Sequence, residues 1–366
     1  MKQKKHHIVV VTSEFPPQPG GIGNHAYNLA LHLHKTNHSV EVIADQRSED
    51  GAEEEVFDQS LAFFVKRIKR YNWRFIMYLK RILVTFKSFK NASAVIATGK
   101  FSLWNVAFCS LFFKTKTIAV VHGSEVNFKS FVLKKTIDMA LKRMDCIVAV
   151  SNYTKSLIQL NRDIIVIPNG INLSEWSQDV SDVMHLKGKP VLTTVGRVSS
   201  RKGQLNVIKL LPEIVKQFPE IHYHCVGIPT EAEYFSNIAE DLGVSKYVTF
   251  HGSVNHDALK NILKNTDVFI MLSTETKTGD VEGFGIAILE ANALGVPAIG
   301  SKKCGIEDAI DNYKSGVLIN DNPEEFNKAL ETILNTIENY QKASILWAQK
   351  HSWSNIVNRY LKVIQD

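Results

Sequence analysis

Two glutamates stand eight residues apart around a Gly-Phe-Gly turn in the segment GDVEGFGIAILEA, 279–291. On one continuous helix, Glu282 and Glu290 would be ~12 Å apart along the axis and about 80° apart around it. They could not then act on one atom, as paired acid and base carboxyl groups do at ~5–9 Å. The glycines instead predict a break, with Glu282 on a loop and Glu290 two turns inside a helix that begins near Gly285. We expect the two carboxylates to bind different ends of one ligand; the alternative is that Glu290 only pairs on a helix face.

The start of that predicted helix offers a place for an anion. The backbone N–H groups of Phe284, Gly285 and Ile286 have no partners within the helix, and the helix dipole adds partial positive charge there. This arrangement suits a phosphate group.

Two cations lie five residues apart in VGRVSSRKG, 195–203, between a predicted strand and a predicted helix at 204–218. Arg197 and Lys202 could hold a diphosphate from one side, although loop cations are often only solvated. The sequence contains no Asp-x-Asp, and a diphosphate held by cations and helix dipoles needs no metal ion. We therefore predict neither a metal site nor a cofactor.

Short β-branched runs alternate with helical patterns along the whole chain. The predicted strands are 7–13, 39–44, 94–99, 117–123, 146–151 and 163–168 in the first half, and 191–196, 221–227, 247–252, 267–272, 297–301 and 316–319 in the second. Nearly continuous apolar runs of this kind are typical of buried parallel strands with crossover helices. The predicted fold class is α/β, with two doubly wound Rossmann-like domains.

A polar segment, 173–190, interrupts the alternation and is the predicted linker between an N-terminal domain, 1–172, and a C-terminal domain, 191–348. Residues 349–366 are predicted to form a helix that packs back across the domains. In doubly wound sheets, ligands bind beyond the carboxyl ends of the strands. Polar residues such as His122 follow the predicted strands, so we expect a ligand in a cleft between the domains.

Composition indicates a globular protein, with 45% hydrophobic and 22% charged residues. The apolar run near the N-terminus is too short for a signal peptide. The longest strongly apolar stretch, 101–113, is shorter than the ~20 residues of a spanning helix. Four widely spaced cysteines without a CxxC pattern favour reduced thiols over disulfides or a metal site. We expect a cytoplasmic protein.

Charge is distributed unevenly. Residues 1–170 carry 24 Lys/Arg against 13 Asp/Glu, whereas 171–366 carry 19 against 24. Within the basic half, 72–90 combines apolar residues at helical spacing (Phe75, Ile76, Leu79, Ile82, Leu83 and Phe86) with flanking cations (Arg74, Lys80, Arg81, Lys87 and Lys90). The pattern suits a helix on an anionic membrane surface. The alternative, at least as strong from sequence, is a helix that packs on the sheet with solvated lysines.

Several motifs, in this order, resemble retaining glycosyltransferases of the GT-B fold, family 4. They are GGIGNHAYNLALHL, HGSE at 122–125, VSNYTKSLI at 150–158, IPNGIN at 167–172, VGRVSSRKG and EGFGIAILEA. The resemblance spans nearly the whole chain. It implies a hexosyltransferase that moves a sugar from UDP or GDP to a glycan or lipid-linked acceptor, with retention and without metal. It also suggests bacterial surface polysaccharide or glycolipid synthesis, peripheral to the inner face of the cell membrane.

The same resemblance assigns roles to individual residues. Glu282 would contact the transferred sugar, and Glu290 would bind the ribose hydroxyls. Arg197 and Lys202 would bind the diphosphate and stabilise the leaving nucleotide.

In the N-terminal half, His122 would form a hydrogen bond with the donor sugar. Gly20 and Gly21 would allow close approach of the backbone to phosphate or acceptor. One segment departs from the family pattern: 303–308 reads KCGIED where relatives often have Gly-Gly-x-Pro-Glu. The conformation of that loop is left open, and it is not included in the predicted site.

Three other classes of protein share some of these sequence features. A sugar-nucleotide epimerase or phosphorylase could use the same fold. An NAD-dependent Rossmann oxidoreductase is suggested by GIGNHA, 21–26, but EFPPQP separates those glycines from the strand, which is too long for the tight turn. A nucleic-acid-binding protein is disfavoured by the acidic C-terminal half and by the lack of aromatic–basic RNA motifs.

Overall fold

The computed structural model describes residues 5–176 and 185–365. Within these ranges the strands are β1 His7–Thr12, β2 Ser39–Asp45, β3 Phe64–Ile68, β4 Ala94–Thr98, β5 Lys116–Val121, β6 Cys146–Ala149, β7 Ile165–Val166, β8 Val191–Val195, β9 His222–Val226, β10 Val248–Gly252, β11 Val268–Met271, β12 Ala298–Ser301 and β13 Gly316–Ile319. The helices are α1 Gly21–Lys35, α2 Ala52–Gln59, α3 Arg74–Phe89, α4 Lys100–Cys109, α5 Phe131–Arg143, α6 Asn152–Ser156, α7 Leu173–Trp176, α8 Gln204–Gln217, α9 Ala232–Asp241, α10 His256–Lys264, α11 Ile286–Ala293, α12 Pro323–Asn335, α13 Ile337–Lys350 and α14 Trp353–Gln365.

These elements form two compact units, each built on its own parallel sheet. Unit 1 contains the chain up to Gly170 together with the residues from Trp353 onwards, and unit 2 is Ile171–Ser352. The sheet of unit 1 has the order β3-β2-β1-β4-β5-β6-β7, and that of unit 2 has the order β10-β9-β8-β11-β12-β13. In both sheets the order reverses beside the first strand, as in doubly wound folds. The predicted fold class is therefore confirmed.

The sheet of unit 1 is buried because its strands are apolar on both faces. Val9, Val11 and Ile43 belong to a core beneath α3, α4 and α5. α14 packs against α1, and its Tyr360 hydroxyl lies 3.1 Å from Nε2 of the buried His25. The last helix of the chain is thus part of unit 1.

Unit 2 has a core of the same kind, formed by its central strands and by α8, α9 and α12. The predicted linker, 173–190, begins with α7, while 177–184 lies outside the described residues. In the described part of the chain, no helix is long and apolar enough to cross a membrane.

Sequence patterns located twelve of the strands but missed β3, whose sequence is FVKRI. β3 is an edge strand, paired only with β2 in the sheet order. Its cations find partners at that edge: Lys66 Nζ lies 2.9 Å from Glu41, and Arg67 Nη2 lies 2.7 Å from Asp58. An edge strand does not need the apolar continuity that identifies central strands.

Candidate functional site

The loop that follows β8 packs closely against the end of β11. Gly203 has φ +84°, and a Cβ at this position would lie 2.0 Å from the Leu272 carbonyl oxygen. Only glycine tolerates both the left-handed conformation and this close approach. The side chains of Arg201 and Lys202 therefore extend from a fixed position of the backbone, at the carboxyl edge of the sheet.

Buried side-chain and backbone hydrogen bonds fix the rest of this loop. Gln204, which is fully buried, donates from Nε2 to the Arg197 carbonyl at 3.2 Å and accepts from the Ser199 N–H at 3.3 Å. The Thr274 N–H donates to the Arg201 carbonyl at 3.0 Å. The loops after β8 and β11 are thus held together as one surface.

Glu282 lies on that surface in contact with two cations. Its Oε2 accepts from Arg201 Nη1 at 2.7 Å and from Lys202 Nζ at 2.6 Å, and its side chain is 12% exposed. Burial raises the pKa of Glu282, but the charges of Lys202 and Arg201 outweigh burial, so that the pKa is lowered overall. Glu282 is consequently an ionised carboxylate that pairs with two cations and offsets one of their two positive charges.

The loop that departs from the family pattern, 303–308, supports the backbone of Glu282. The Gly305 N–H donates to the Glu282 carbonyl at 3.0 Å, and a Cβ on Gly305 would lie 2.1 Å from the Gly283 carbonyl carbon and oxygen. The side chain of Cys304 is buried and lies 3.3 Å from the Ser301 hydroxyl. Gly305 is therefore a site residue that sequence reasoning left out, although its position in KCGIED was visible.

The turn predicted around Phe284 and Gly285 is present. Gly285 has φ +92° and precedes α11, which begins at Ile286. Phe284 is buried, with its ring centroid 6.0 Å from that of His351. Its burial anchors the turn, so that the N–H groups of the first helical turn have a fixed direction.

Glu290 is the fifth residue of α11 and lies about one turn into the helix, rather than two as the sequence suggested. It is partly buried. Burial raises the pKa of Glu290 to about 7 against the opposing effect of Lys202, and Glu175 raises it further. The two glutamates therefore differ chemically: Glu282 is ionised, whereas Glu290 exchanges a proton near neutral pH.

The cation arrangement differs from the predicted pair. Lys202 lies at Glu282, but Arg201 is the arginine that joins it there, and Arg197 is exposed to solvent. Sequence reasoning selected Arg197 from its place in the strand-to-helix loop and from the family pattern, and it gave Arg201 no role. The diphosphate contact of Arg197 stays a prediction. The 3-10 turn Ser200–Lys202, which directs Arg201 toward Glu282, is a local feature that the spacing does not reveal.

Unit 1 carries a second cluster at the carboxyl edge of its own sheet. His122 follows β5; its Nε2 lies 2.7 Å from the Thr98 hydroxyl, and the ring of His25 packs edge-on at 4.9 Å. Burial lowers the pKa of His122 to about 4. The imidazole is therefore neutral at physiological pH and is suited to hydrogen bonding rather than to carrying charge.

A buried carboxyl group lies directly beside this histidine. The backbone N–H of His122 donates to Glu125 Oε1 at 2.6 Å. Oε2 of the same carboxyl group is buried and has no hydrogen-bond partner among the described residues. Burial raises the pKa of Glu125 to about 7, and the charge of Glu14 contributes to the increase. Glu125 belongs to the HGSE motif, and neither its spacing nor the family resemblance assigned it a role.

Gly20 and Gly21 lie where α1 begins. A Cβ on Gly20 would lie 2.4 Å from Glu14 Oε2, whereas a Cβ on Gly21 would enter open space. Eight residues, 13–20, separate β1 from α1. The tight strand-to-helix turn of dinucleotide-binding folds is absent from this described segment, in agreement with the argument against an oxidoreductase.

The basic segment 72–90 contains α3. Some of its apolar residues lie in the core and others are exposed to solvent. Ile82 and Phe86 pack on the core, as the sheet-packing alternative requires. Phe75, Ile76, Leu79 and Leu83 are exposed. Arg81, predicted as a flanking cation, is instead buried and pairs with Asp45.

Comparisons with known proteins agree with this architecture. The family model described as Glycosyltransferase Family 4 matches 19–175, and the model described as Glycosyl transferases group 1 matches 179–345. Together they span most of both units. A glycosyltransferase from Rickettsia africae has the same fold, with a TM-score of 0.78 at 19% identity over 99% of this chain and 98% of that chain. Anabaena HepE in complex with UDP and glucose also has a TM-score of 0.78, at 17% identity over 98% and 99%.

Curated relatives match at somewhat higher identity. A GDP-mannose-dependent alpha-(1-6)-phosphatidylinositol monomannoside mannosyltransferase from Mycolicibacterium smegmatis is 27% identical over 338 residues, which is 85% of each chain. A GDP-mannose-dependent monoacylated alpha-(1-6)-phosphatidylinositol monomannoside mannosyltransferase from Corynebacterium glutamicum is 24% identical over 82% of each chain. The chain belongs to the glycosyltransferases of family 4 and group 1, whose two models match its first and second parts, and it is a hexosyltransferase with the GT-B fold.

Proposed function

We propose that this protein transfers a sugar, with retention and without a metal ion, from a nucleoside diphosphate sugar to a glycan or lipid-linked acceptor. One observation carries the proposal: Glu282 bridges Arg201 and Lys202 at the strand-end surface of unit 2, next to the start of α11. A carboxylate, two cations and a helix N-terminus provide the complementary charges for a sugar joined to a diphosphate.

In this proposal the two cations exchange partners when the donor binds. Without a ligand, Lys202 and Arg201 both pair with Glu282, and one positive charge is left over. The diphosphate would take over the cations, with the N–H groups of Phe284, Gly285 and Ile286 completing its coordination. Glu282 would then be released to bind hydroxyl groups of the donor sugar.

Glu290 is proposed to bind the ribose. A carboxyl group with a pKa of about 7 can donate or accept a hydrogen bond, so it suits a pair of vicinal hydroxyl groups. The exposed Arg197 remains a proposed diphosphate ligand beside Lys202. Its role can be separated from that of Arg201 by substitution.

His122, Gly20 and Gly21 remain proposed ligands at the edge of unit 1. The neutral His122 ring is held by Thr98 and could hydrogen-bond a sugar hydroxyl. The start of α1 at Gly21 leaves open space above the backbone, where a phosphate or acceptor group could approach.

For the donor, the mannosyltransferase relatives depend on GDP-mannose, while UDP and glucose are bound in the Anabaena protein. The same relatives act on phosphatidylinositol mannosides, which supports a lipid-linked acceptor for this chain. We propose GDP- or UDP-sugars as donors, and a role in bacterial surface polysaccharide or glycolipid synthesis at the inner face of the cell membrane.

The proposed chemistry is substitution on one face of the sugar. The bond between the anomeric carbon and the leaving phosphate breaks, and the phosphate takes the electron pair. The acceptor oxygen bonds to the same face, and its proton passes to the leaving phosphate oxygen. Arg201 and Lys202 would stabilise the negative charge that develops on the nucleotide.

Binding of the donor can be tested by thermal shift with GDP, UDP, ADP, their sugars and NAD, all in EDTA. Stabilisation by one nucleoside diphosphate in EDTA supports the metal-independent donor site and identifies the base. Stabilisation by NAD alone would overturn the proposal. Conversion of the donor sugar without any acceptor would favour the epimerase alternative.

The stereochemistry needs a separate measurement on the transferred product. Retention predicts that the anomeric configuration in the product equals that in the donor. The proton–proton coupling at the anomeric position, read by NMR on a glucosyl or galactosyl product, or the one-bond carbon–proton coupling on a mannosyl product, decides this point. An inverted anomeric configuration in the product would contradict retention but would not contradict the proposed donor site.

A further inference from the structure

We propose that unit 2 has a second binding site, which holds a phosphate group at the amino edge of its sheet. The ligand is either the free phosphate ion or a small phosphomonoester. We call the site the amino-edge cavity, and its defining residues are Lys187, Lys189, Ile221, His222, Lys246 and Tyr247. The inference is independent of the proposed function, because Glu282, Arg201 and Lys202 lie at the opposite edge of the sheet.

The amino-edge cavity forms where three neighbouring strands begin. The segments that lead into β8, β9 and β10 supply its lining from 187–189, 219–221 and 246–247. These strands are adjacent in the sheet, in the order β10-β9-β8. β9 runs from His222 at the cavity to Val226 at the carboxyl edge, and four steps of extended strand span ~13 Å. The cavity is therefore separate from the candidate donor site.

The size and the walls of the cavity suit a small ligand. Its volume is about 430 Å³, within the ~300–1,000 Å³ that is usual for ligand pockets. Pro219, Ile221 and the partly buried Tyr247 provide an apolar wall. A phosphate ion would occupy only part of this space, so the carbon skeleton of a phosphomonoester could lie against the apolar wall.

The cations of the cavity have no counter-ion among the described residues. Lys187 and Lys246 are close together, since Lys187 Nζ donates to the Lys246 carbonyl at 3.4 Å. Lys189 contributes a third ammonium group. Glu220 is the one acidic residue of the described lining, yet none of the three ammonium groups forms an ion pair with a described carboxylate. A bound phosphate would provide the missing negative charge.

His222 adds a buried ring nitrogen that lacks a partner. The residue is 3% exposed, and its Nε2 lies 2.8 Å from the Thr249 hydroxyl. Its Nδ1 has no hydrogen bond to the described residues, although His222 lines the cavity. The backbone at Gly188 holds the residue in place: φ is +107°, and a Cβ there would lie 2.3 Å from His222 Cβ. Buried polar atoms normally have partners, and a phosphate oxygen would supply one here.

Two further histidines determine the hydrogen bonding behind His222. The ring centroid of His224 lies 4.8 Å from that of His222. The Lys187 carbonyl can only accept, so the proton of a neutral His224 is on Nε2, which donates to it at 2.9 Å. His224 Nδ1 then accepts from His251 Nε2 at 2.9 Å. Both nitrogens of His224 are occupied, which leaves His222 as the histidine that can bind a ligand in the cavity.

Binding of the anion should be coupled to uptake of a proton by His222. Burial is the largest of the influences that lower the pKa of His222 to about 4. The others are the charges of His224, Lys187 and His251. The remaining charged groups of the lining are Lys189, Glu220 and Lys246. A bound dianion favours the imidazolium and raises the pKa, so the affinity should increase as the pH falls toward the raised value.

The test measures binding of inorganic phosphate, glycerol 3-phosphate and glucose 6-phosphate by titration calorimetry, at constant ionic strength. Lys187→Gln with Lys246→Gln removes two cations of the cavity. Lys328→Gln with Lys342→Gln is the matched control, since these exposed lysines lie on α12 and α13 of the same unit. The affinity should fall about tenfold or more in the cavity variant and about twofold or less in the control.

The three probes distinguish the two sources of the phosphate group. Tighter binding of either ester than of inorganic phosphate identifies a phosphomonoester that uses the apolar wall. Equal or weaker binding of both esters identifies the free ion. Equal losses in the cavity and control variants, or no binding of any probe up to ~10 mM, would overturn the proposal.

Lys202→Gln separates the amino-edge cavity from the candidate donor site. This variant should keep phosphate binding, because Lys202 pairs with Glu282 at the carboxyl edge. Loss of binding in Lys202→Gln, together with unchanged binding in the cavity variant, would assign the ion to the donor site and refute the second site. The melting temperature of each variant verifies that it folds.

Proton uptake is measured with sulfate, which stays a dianion while a histidine titrates. Sulfate should bind more tightly at about pH 5.5 than at about pH 7.5, and His222→Gln should remove the difference. Glutamine can still reach the Thr249 hydroxyl but cannot take up a proton. In the unmodified protein, the imidazole nitrogen shifts of His222 in NMR spectra should move toward those of the imidazolium when sulfate is added. Unchanged shifts, or a pH dependence that persists in His222→Gln, would overturn the role of His222.

Discussion

Replacement of Glu282 by glutamine tests whether this carboxylate occupies the place of the diphosphate in the free protein. The variant keeps the size of the side chain but leaves Arg201 and Lys202 without their counter-ion. Side-chain exposures of 12% for Glu282, 16% for Lys202 and 30% for Arg201 place the cluster between surface and buried ion pairs. Surface pairs contribute about 1 kcal/mol or less, and breaking a buried pair costs about 3–5 kcal/mol.

We therefore expect Glu282→Gln to lower the free energy of unfolding of unit 2 by roughly 2 kcal/mol. For a domain of this size the melting temperature should fall by about 4–8 °C. The affinity for a nucleoside diphosphate should instead increase. The ligand no longer has to displace the carboxylate, so its affinity should rise by up to about 30-fold, which corresponds to the same ~2 kcal/mol.

The assay is a thermal-shift titration with the cognate nucleoside diphosphate, followed by a transfer assay. Transfer should be lost in the variant because the sugar contact is missing, even though the nucleotide binds more tightly. Glu213→Gln is the control, since Glu213 pairs with Lys216 on the exposed side of α8 and should change stability by about 0.5 kcal/mol or less. An unchanged melting temperature, or weaker nucleotide binding, would refute the exchange of partners.

Three further outcomes follow from the structure. Folding raises the pKa of Glu125 from 4.5 to about 7, so its contribution to the free energy of unfolding is fully favourable below pH 4.5 and is lost as the pH rises through 7. Glu125→Gln should remove this pH dependence and stabilise the protein at pH 8 by up to roughly 3 kcal/mol. Urea unfolding at a series of pH values measures both effects. Gly305→Ala should destabilise unit 2 by about 2 kcal/mol or more and reduce transfer, because its Cβ would overlap the Gly283 backbone, whereas Gly21→Ala should leave the melting temperature nearly unchanged. Arg201→Ala should lower the melting temperature of the free protein more than Arg197→Ala, since only Arg201 reaches Glu282, and equal effects would contradict the ion-pair geometry.

The sequence predicted those parts of the fold in which one local pattern determines the outcome. Buried parallel strands have continuous apolar runs, so twelve strands were located to within two residues at each end. β3 was missed because an edge strand tolerates Lys66 and Arg67, which pair with carboxylates brought from elsewhere. Asn37, which follows the first helix, has φ +67°, a left-handed conformation that asparagine tolerates at a helix end.

Tertiary geometry determines the parts of the site that the sequence could not predict. The contact of Arg201 with Glu282 joins residues 81 positions apart and depends on a three-residue turn. The role of Gly305 depends on the approach of a loop to the Gly283 backbone. No spacing rule identifies such contacts, whereas the glutamates and Lys202 stand in recognisable local motifs.

The return of α14 to unit 1 has a consequence for how the protein is made. Unit 1 is assembled from both ends of the chain, and unit 2 is inserted between Gly170 and Trp353. During synthesis, unit 2 has its whole sequence available before unit 1 receives Trp353 and Tyr360, whose rings cover the buried His25. A ribosome that stops near residue 352 would leave the second half of the protein complete and the first half unfinished. Damage at the carboxyl terminus would thus expose the side of α1 that carries His25.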